Sequence, residues 1–219
     1  MSGFFVVFEG GDGVGKTTQI ELLARALRAG GREVVETREP GGTELGRELR
    51  QAIMHGGHVA PRAEALLYAA DRAHHIATKV RPALERGAAV VQDRYIDSSV
   101  VYQGGARGLG DEVARVSEWA TEGLVPDLTV LLDMESVPER LARELDRVER
   151  ETGGDRALIR ESFLALASRE PERYAVVDAS QSVDDVAADV RVAVDSALTK
   201  VGLAGLPAAH AGVEPWGTP

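Results

Sequence analysis

The chain has 219 residues, a length that suits one domain with at most a short appendage, and its 44% hydrophobic and 27% charged content is that of a globular protein able to bury a real core. Its 25 Lys and Arg against 35 Asp and Glu give a formal charge of −10 with no basic block, which argues against a generic grip on nucleic-acid backbone and for a small anion held by a local arginine cluster. With no cysteine there is no disulfide or thiol chemistry, and with no apolar span of about 18 residues and no leader-like start, membrane insertion and secretion are disfavoured and a cytoplasmic protein is expected.

Residues 4–8 form a continuous apolar run, as a strand covered on both faces requires. Gly10-Gly11-Asp12-Gly13-Val14-Gly15-Lys16-Thr17-Thr18 follows, then an amphipathic helix with Ile20, Leu23, Ala24 and Leu27 on one face, stopped by Gly30-Gly31. Gly10-x-x-x-x-Gly15-Lys16-Thr17 fits the phosphate-binding loop pattern, and strand before with helix after is the context such a motif needs. Glycines let successive N–H groups point inward, and the helix adds its positive end. The stretch therefore predicts a bound nucleoside triphosphate, with Lys16 reaching the β and γ phosphates and Thr17 ligating Mg²⁺ through its hydroxyl.

Residues 33–37 read as a second strand, and Leu45, Leu49 and Ile53 recur on the helix after it. Residues 55–61 form a loop; a longer helix from 62 to about 80 carries Ala63, Leu66, Leu67 and Ala70 inward, with Pro82 beyond its end. A short strand at 88–92 delivers Asp93-Arg94 to its carboxyl edge. Another helix precedes the glycine loop at 104–110, and Val113 and Val116 mark one face of the next helix. Residues 128–132 are again a buried strand, followed by an Arg/Glu-rich segment at 138–152 and a Gly153-Gly154 break. The last strand is 174–178; Ser182, with Asp185 three residues on, caps a final helix bearing Val183, Val186, Val190 and Val194. From 202 onward the chain reads as a mostly disordered tail, with Trp216 its one feature able to dock. The histidine pairs His55/His58 and His74/His75 lack a third ligand at suitable spacing and do not make a metal site.

Alternating β and α elements imply an α/β fold, a parallel sheet with helices on both faces, in one domain over 1–200 with a tail at 201–219. Ligands of such sheets collect outside the carboxyl ends of strands, so residues 9–17, 37–43, 93–95 and 133 are the ones to read for function. A phosphate loop alone leaves GTPases, motor ATPases and small-molecule kinases open. A GTPase reads guanine through Asn-Lys-x-Asp, and the chain contains no asparagine. Val90-Val91-Gln92-Asp93 is only a partial version of the motor ATPase signature. A small-molecule kinase needs a second anion site built from arginines, and Arg38, Arg50, Arg72 and Arg94 all fall on or near the active edge.

Thr37-Arg38-Glu39-Pro40-Gly41-Gly42-Thr43, Leu66-Leu67-Tyr68-Ala69-Ala70-Asp71-Arg72 and Asp93-Arg94-Tyr95-Ile96-Asp97-Ser98-Ser99-Val100-Val101-Tyr102-Gln103-Gly104 resemble bacterial thymidylate kinases in order and spacing, as does Pro126-Asp127-Leu128 leading into Leu132-Asp133. The resemblance implies the three-layer P-loop kinase fold with a five-stranded parallel sheet, phosphoryl transfer from ATP with Mg²⁺ to dTMP, and a homodimer. It implies Asp12 near the sugar 3′-hydroxyl, Arg94 on the acceptor phosphate, Tyr68 stacked on the base, Arg72 and Gln103 at the thymine edge, and Tyr102 crowding C2′ to favour deoxyribose. Glu39, Arg50 and Ser99 match further pocket positions. Asp93 would orient Arg94 or bind the metal through water. Where relatives carry an arginine inside the phosphate loop this chain has Gly13, so arginines of a lid near 138–152 would reach the transferred group. Asp146-Arg147-Val148-Glu149 resembles the family's lid motif; of the family's run of alternating arginines Arg140, Arg143 and Arg147 remain, and Arg143 is the one expected to be catalytic. Two alternatives stay open here: a related kinase of another deoxynucleoside monophosphate, and a catalytically impaired nucleotide-binding paralogue.

Overall fold

Phe4-Phe5-Val6-Val7-Phe8 contains no polar residue because the strand it forms is buried along its whole length. In the structure, a computed structural model that describes residues 3–135, 147–151 and 155–207, this strand is β1 (Phe4–Glu9). It lies at the centre of a five-stranded sheet with β2 (Val34–Arg38), β3 (Ala89–Asp93), β4 (Leu128–Asp133) and β5 (Tyr174–Asp178). The order is β2-β3-β1-β4-β5 and every pairing is parallel. The five strands fall within a residue of the bounds read from the sequence, and the α/β class with helices on both faces is the one observed.

Alternate side chains of β1 feed two cores. Phe4, Val6 and Phe8 pack with Leu23 and Leu27 of α1 (Lys16–Ala29) and with Val190 and Val194 of α9 (Val183–Lys200). Phe5 and Val7 pack on the other face with Ile76, Val80, Leu84, Tyr95 and Leu124. Each such fully buried side chain contributes about 1.5–3 kcal/mol. A third cluster joins Val101, Tyr102 and Leu131 to Phe163 and Ala167 of α8 (Arg156–Arg169). That helix buries only Phe163 and Ala167 fully, which is why no clear period announces it.

The stretch after β2 departs most from the sequence expectation. α2 (Glu44–His55) buries Ile53 but leaves Leu45 half exposed. α3 (Pro61–His75) turns the opposite face inward from the one its apolar residues suggest. Glu64, Asp71, Arg72 and His75 are buried, whereas Ala63, Leu66 and Ala70 are exposed and Leu67 only half-buried. The physical reason is that α3 faces a polar site rather than the core. Helical structure also continues past residue 80. Ile76–Val80 adopts the wider π geometry, with the Arg81 N–H reaching Ile76 O, and α4 (Arg81–Glu85) follows with Pro82 in its first turn. The shifted ladder and the first-turn position let proline sit where its missing N–H is not needed. A second π stretch, Val100–Ala106, continues α5 (Ile96–Ser99) and precedes α6 (Glu112–Thr121).

Residues 203–207 are not loose. Leu203 and Leu206 pack against the first core, Leu203 N–H bonds Leu198 O at 2.8 Å, and Leu206 N–H bonds Asp195 Oδ1 at 2.5 Å. The packed body thus extends beyond the boundary drawn at 200. Of the expected lid, α7 (Arg147–Glu151) is described; Arg140, Arg143, Asp146, Gly153-Gly154 and Trp216 lie outside the described residues. Among the described residues no helix is long and apolar enough to cross a membrane.

Candidate active site

The carboxyl ends of β1 and β3 and the start of α1 meet at a cavity of about 500 Å³. The phosphate loop bends where its glycines demand it. Gly10 has φ 132°, and a Cβ there would lie 2.5 Å from Leu132 O; Gly15, at φ 97°, caps α1 with nothing within 4 Å of the Cβ position. The first turn of α1 carries no acidic residue to compete for an anion. Lys16 is buried, and its Nζ donates to Gly10 O at 3.0 Å and Gly11 O at 2.7 Å. Burial pushes its ammonium down to about 8, Arg94 adds to that shift, and Asp93, Asp12 and Glu9 oppose it. Such a group is poised to regain full charge beside a polyphosphate. Thr17 and Thr18 stand exposed at the mouth.

Opposite the loop stands Arg94. Its backbone is left-handed, φ 67°, an uncommon conformation for a residue with a Cβ, and is fixed by its N–H to Phe8 O at 2.9 Å and by Gln92 Nε2 donating to Arg94 O at 2.9 Å. The guanidinium lies over the Tyr102 ring at 5.6 Å and donates to Asp12 Oδ1 and Ser98 Oγ, both at 2.9 Å. Among the described residues the buried Asp93 Oδ1 has no hydrogen-bond partner. That orphaned oxygen and the Thr17 hydroxyl are hard oxygen donors of the kind Mg²⁺ takes, directly or through water.

Behind Arg94 lies Glu9, which no sequence motif marks although it is the one charged residue ending β1. It is fully buried. Its Oε1 accepts from the N–H groups of Tyr95 (2.8 Å) and Ser98 (3.2 Å), and its Oε2 from Ser98 Oγ (2.7 Å), so it anchors the turn that carries Arg94. Burial pushes the carboxyl up from 4.5 to about 7; Asp97 adds to the rise, and Arg94, Ser98 and Tyr95 oppose it. A carboxyl raised in the folded state contributes stability that is complete below about 4.5 and is lost as pH rises through about 7. Glu9→Gln, which cannot ionise, is expected to flatten the fall in Tm between about pH 5 and about pH 8. Thermal melts across that window that run parallel for the two proteins would refute the shift.

The far end of the cavity is built on α3. Arg72, 1% exposed, donates through Nε to Glu39 Oε2 (2.7 Å), Nη1 to Ser117 Oγ (3.0 Å), and Nη2 to Tyr95 O (3.0 Å) and Ser99 Oγ (3.1 Å). Glu39 in turn bonds His75 Nδ1 at 2.9 Å, and His75 Nε2 lies 2.7 Å from Thr37 Oγ1. Burial works against the Glu39 charge, but Arg72 and His75 outweigh it and hold the carboxyl below its ordinary value. One histidine of the 74/75 pair is thus a structural partner of Glu39. Arg50 reaches in to donate to Pro40 O at 3.1 Å.

Lys16, Thr17, Thr18, Asp12, Gly13 and Gly15 of the loop all line the cavity, as do Asp93 and Arg94. So do Glu39, Arg50, Tyr68, Arg72, Ser99, Tyr102 and Gln103. Gly10, Gly11 and Val14 shape the loop from behind. Asp133 is taken by Arg160, which holds both its oxygens at 2.6 and 2.8 Å and so ties α8 to β4. Arg147 is buried against Glu64, Ile53 O and Glu151 and does not line the cavity, whereas its neighbour Val148 does. Ser98 and Met54 line it too, without having been singled out from the sequence, as does His55, which the sequence raised only as half of a histidine pair. Ser98 lies inside the Asp93–Gly104 block, where its spacing from Arg94 was the available signal.

Residues 8–190 match the sequence family described as thymidylate kinase. The chain is 57% identical over 200 residues to the thymidylate kinase of Leifsonia xyli subsp. xyli (strain CTCB07), covering 88% of this chain and 95% of the relative. It is 54% identical over 198 residues to that of Clavibacter sepedonicus, covering 87% and 94%. A crystal structure of thymidylate kinase from Ehrlichia chaffeensis superposes with a TM-score of 0.73 at 29% identity, over 87% of this chain and 97% of that one. A phosphate loop facing a half-buried arginine across one cavity, in a chain matched along nearly its whole length, leads to one conclusion: the chain belongs to the thymidylate kinase family.

Proposed function

We infer that the chain is a nucleoside monophosphate kinase that transfers the γ-phosphoryl group of ATP to dTMP, giving dTDP. The observation that carries this reading is the 2.9 Å contact between Arg94 and Asp12, which sets the arginine suited to an acceptor phosphate directly against the loop suited to a donor. On the donor side the inward N–H groups of residues 10–18, the start of α1 and Lys16 hold the triphosphate. Thr17, with Asp93 through water, would hold Mg²⁺, which when bound neutralises charge on the β and γ oxygens. On the acceptor side Arg94 holds the monophosphate, whose second pKa of about 6 leaves it ionised at neutral pH, so no general base is needed. The chain's task is to align two polyanions and neutralise the charge between them. Asp12 accepts from the 3′-hydroxyl, Tyr68 stacks on the base, Tyr102 crowds C2′, and Arg72 and Gln103 meet the base edge, with Glu39 and Ser99 holding Arg72 and Arg50 flanking the mouth. Turnover assayed on a panel of dTMP, dCMP and dGMP with ATP and Mg²⁺ tests the reading. Turnover of dTMP far above the others is expected; preference for another acceptor, or binding without turnover, would refute it.

We also propose that two copies pair through the outer faces of α3 and α6. Leu66 and Ala70 of α3 and Ala77 of the π stretch after it are exposed there, Trp119 is 81% exposed, and a hollow lined by Ala73, Ile76, Ala77 and Trp119, together with the charged Arg81, Arg115, Glu118 and Glu122, lies between them. An apolar stripe opposite the polar face of α3 needs a cover. Trp119→Glu is expected to yield monomer in sedimentation velocity; a monomeric wild type or a variant that stays dimeric would refute the interface.

A further inference from the structure

Between α3, the π stretch after α5 and α7 lies a charge cluster that the reaction scheme does not use. Its centre is Glu64, 0% exposed. Glu64 Oε1 accepts from Gln103 Nε2 at 3.0 Å and Arg107 Nε at 3.3 Å; Oε2 accepts from Arg107 Nη2 and Arg147 Nη2, both at 2.7 Å. Arg107 and Arg147 also share Glu151, at 2.6 and 2.9 Å. Burial pushes the Glu64 carboxyl up, but hydrogen bonds from Arg107, Gln103 and Arg147 outweigh it and hold the group below its ordinary value. Glu64 is therefore an anion, and an anionic carboxylate accepts hydrogen bonds without donating any.

Gln103 is the member of this cluster that also lines the cavity. Its amide carries a carbonyl on one branch and an NH₂ on the other, and the partners decide which faces where. Turned over, the amide would set its carbonyl oxygen against Glu64 Oε1 at the 3.0 Å now bridged by a hydrogen bond, two acceptors in contact at a buried site. Glu64 thus removes one of the two orientations.

We propose that Glu64 is a positioning residue for base selection: it holds Gln103 with the carbonyl oxygen toward the base, so that the cavity takes a pyrimidine carrying N3–H and refuses one whose N3 is a lone pair. The inference rests on the dTMP reading above and deepens it. Arg72 supplies the second point of the code. Among the described residues four of its five N–H groups are engaged, and the hydrogen left on Nη1 suits an acceptor such as O4 and opposes an amino group. Along this edge thymine offers acceptor then donor and cytosine the reverse, so cytosine is mismatched at both points. Uracil presents the thymine pattern, so this device does not separate dUMP from dTMP.

The test is equilibrium binding of dTMP and of 5-methyl-dCMP, which keeps the methyl group and inverts the edge. Calorimetry would use the full chain as wild type, Glu64→Gln, Gln103→Met and the double variant. The dTMP preference is expected to fall about tenfold in Glu64→Gln, because Gln103 is then free to turn. Once Gln103 is methionine, Glu64→Gln is expected to leave the preference unchanged. A folded Glu64→Gln with the wild-type preference, or an equal drop in both backgrounds, overturns the proposal. Should Glu64→Gln not fold, neutron diffraction from the wild-type dTMP complex decides: both Gln103 amide deuterons away from base N3 support it, and one directed at N3 overturns it. Wild-type protein that binds no dTMP overturns the function reading and this proposal together, whereas dTMP binding with an unmoved preference in Glu64→Gln overturns this proposal alone.

Discussion

Lys16→Ala is expected to lower kcat by about 10³-fold or more while leaving dTMP affinity nearly intact. The asymmetry follows from where the ammonium lies. Lys16 Nζ rests on Gly10 O and Gly11 O, inside the curl of the phosphate loop, and among the described residues two of its three N–H groups are used there. The third is available to phosphate oxygens, and those gain charge as the γ-phosphoryl group transfers, so the contact strengthens toward the transition state. Arg94 already lowers the Lys16 pKa, a sign that the two cations repel across the cavity. Removing one of them does not loosen the other's hold on a monophosphate. Steady-state assays beside a calorimetric dTMP titration separate the terms. A variant that loses dTMP affinity as steeply as kcat would mean that Lys16 belongs to both subsites, and the division into donor and acceptor walls would fail.

The phosphate loop and the central strands were legible because their determinants are local. A run of five apolar residues buried on both faces, and glycines at fixed spacing before a lysine, carry their meaning within a dozen positions. The supporting residues behaved otherwise. Glu9 meets Tyr95 86 positions away, and Glu64 meets Arg147 83 positions away, so neither pairing leaves a pattern in the chain around it. α3 misled for a related reason. Helix periodicity marks which face is apolar, and the usual assumption that this face points inward fails where the interior is a polar site. There Arg72 and His75 are buried by their partners Glu39, Ser99 and Ser117, while Leu66 is left outside. Arg50 was ambiguous by itself, since a lone helix arginine is usually solvated; its bond to Pro40 O places it at the cavity. The π stretch at Val100–Ala106 gave no signal, yet it helps bury Tyr102 and Gln103 at the site.

Arg94→Ala is expected to weaken dTMP by about 100-fold and thymidine by only a few-fold, because the guanidinium it deletes grips the phosphate, which thymidine lacks. Two effects add. The guanidinium is mostly buried and donates to Asp12 and Ser98 in the free protein, so it is held ready rather than ordered on binding. Its removal also takes a cation from Asp12, and the uncompensated negative charge beside the acceptor phosphate repels it. Removing Asp12 as well takes away that repulsion along with the contact to the 3′-hydroxyl, so the double variant is expected to lose less dTMP affinity than the two single losses combined, a non-additivity that a double-mutant cycle reads directly. Arg94→Lys should fall between, keeping the charge but losing the planar fork that holds two oxygens at once. Backbone strain does not enter the comparison: arginine, lysine and alanine all carry a Cβ, so each meets the same cost at φ 67°. If dTMP and thymidine weaken alike, the arginine is supporting the base pocket through Tyr102 and Ser98 instead of gripping the phosphate, and the acceptor subsite has to be sought elsewhere in the cavity.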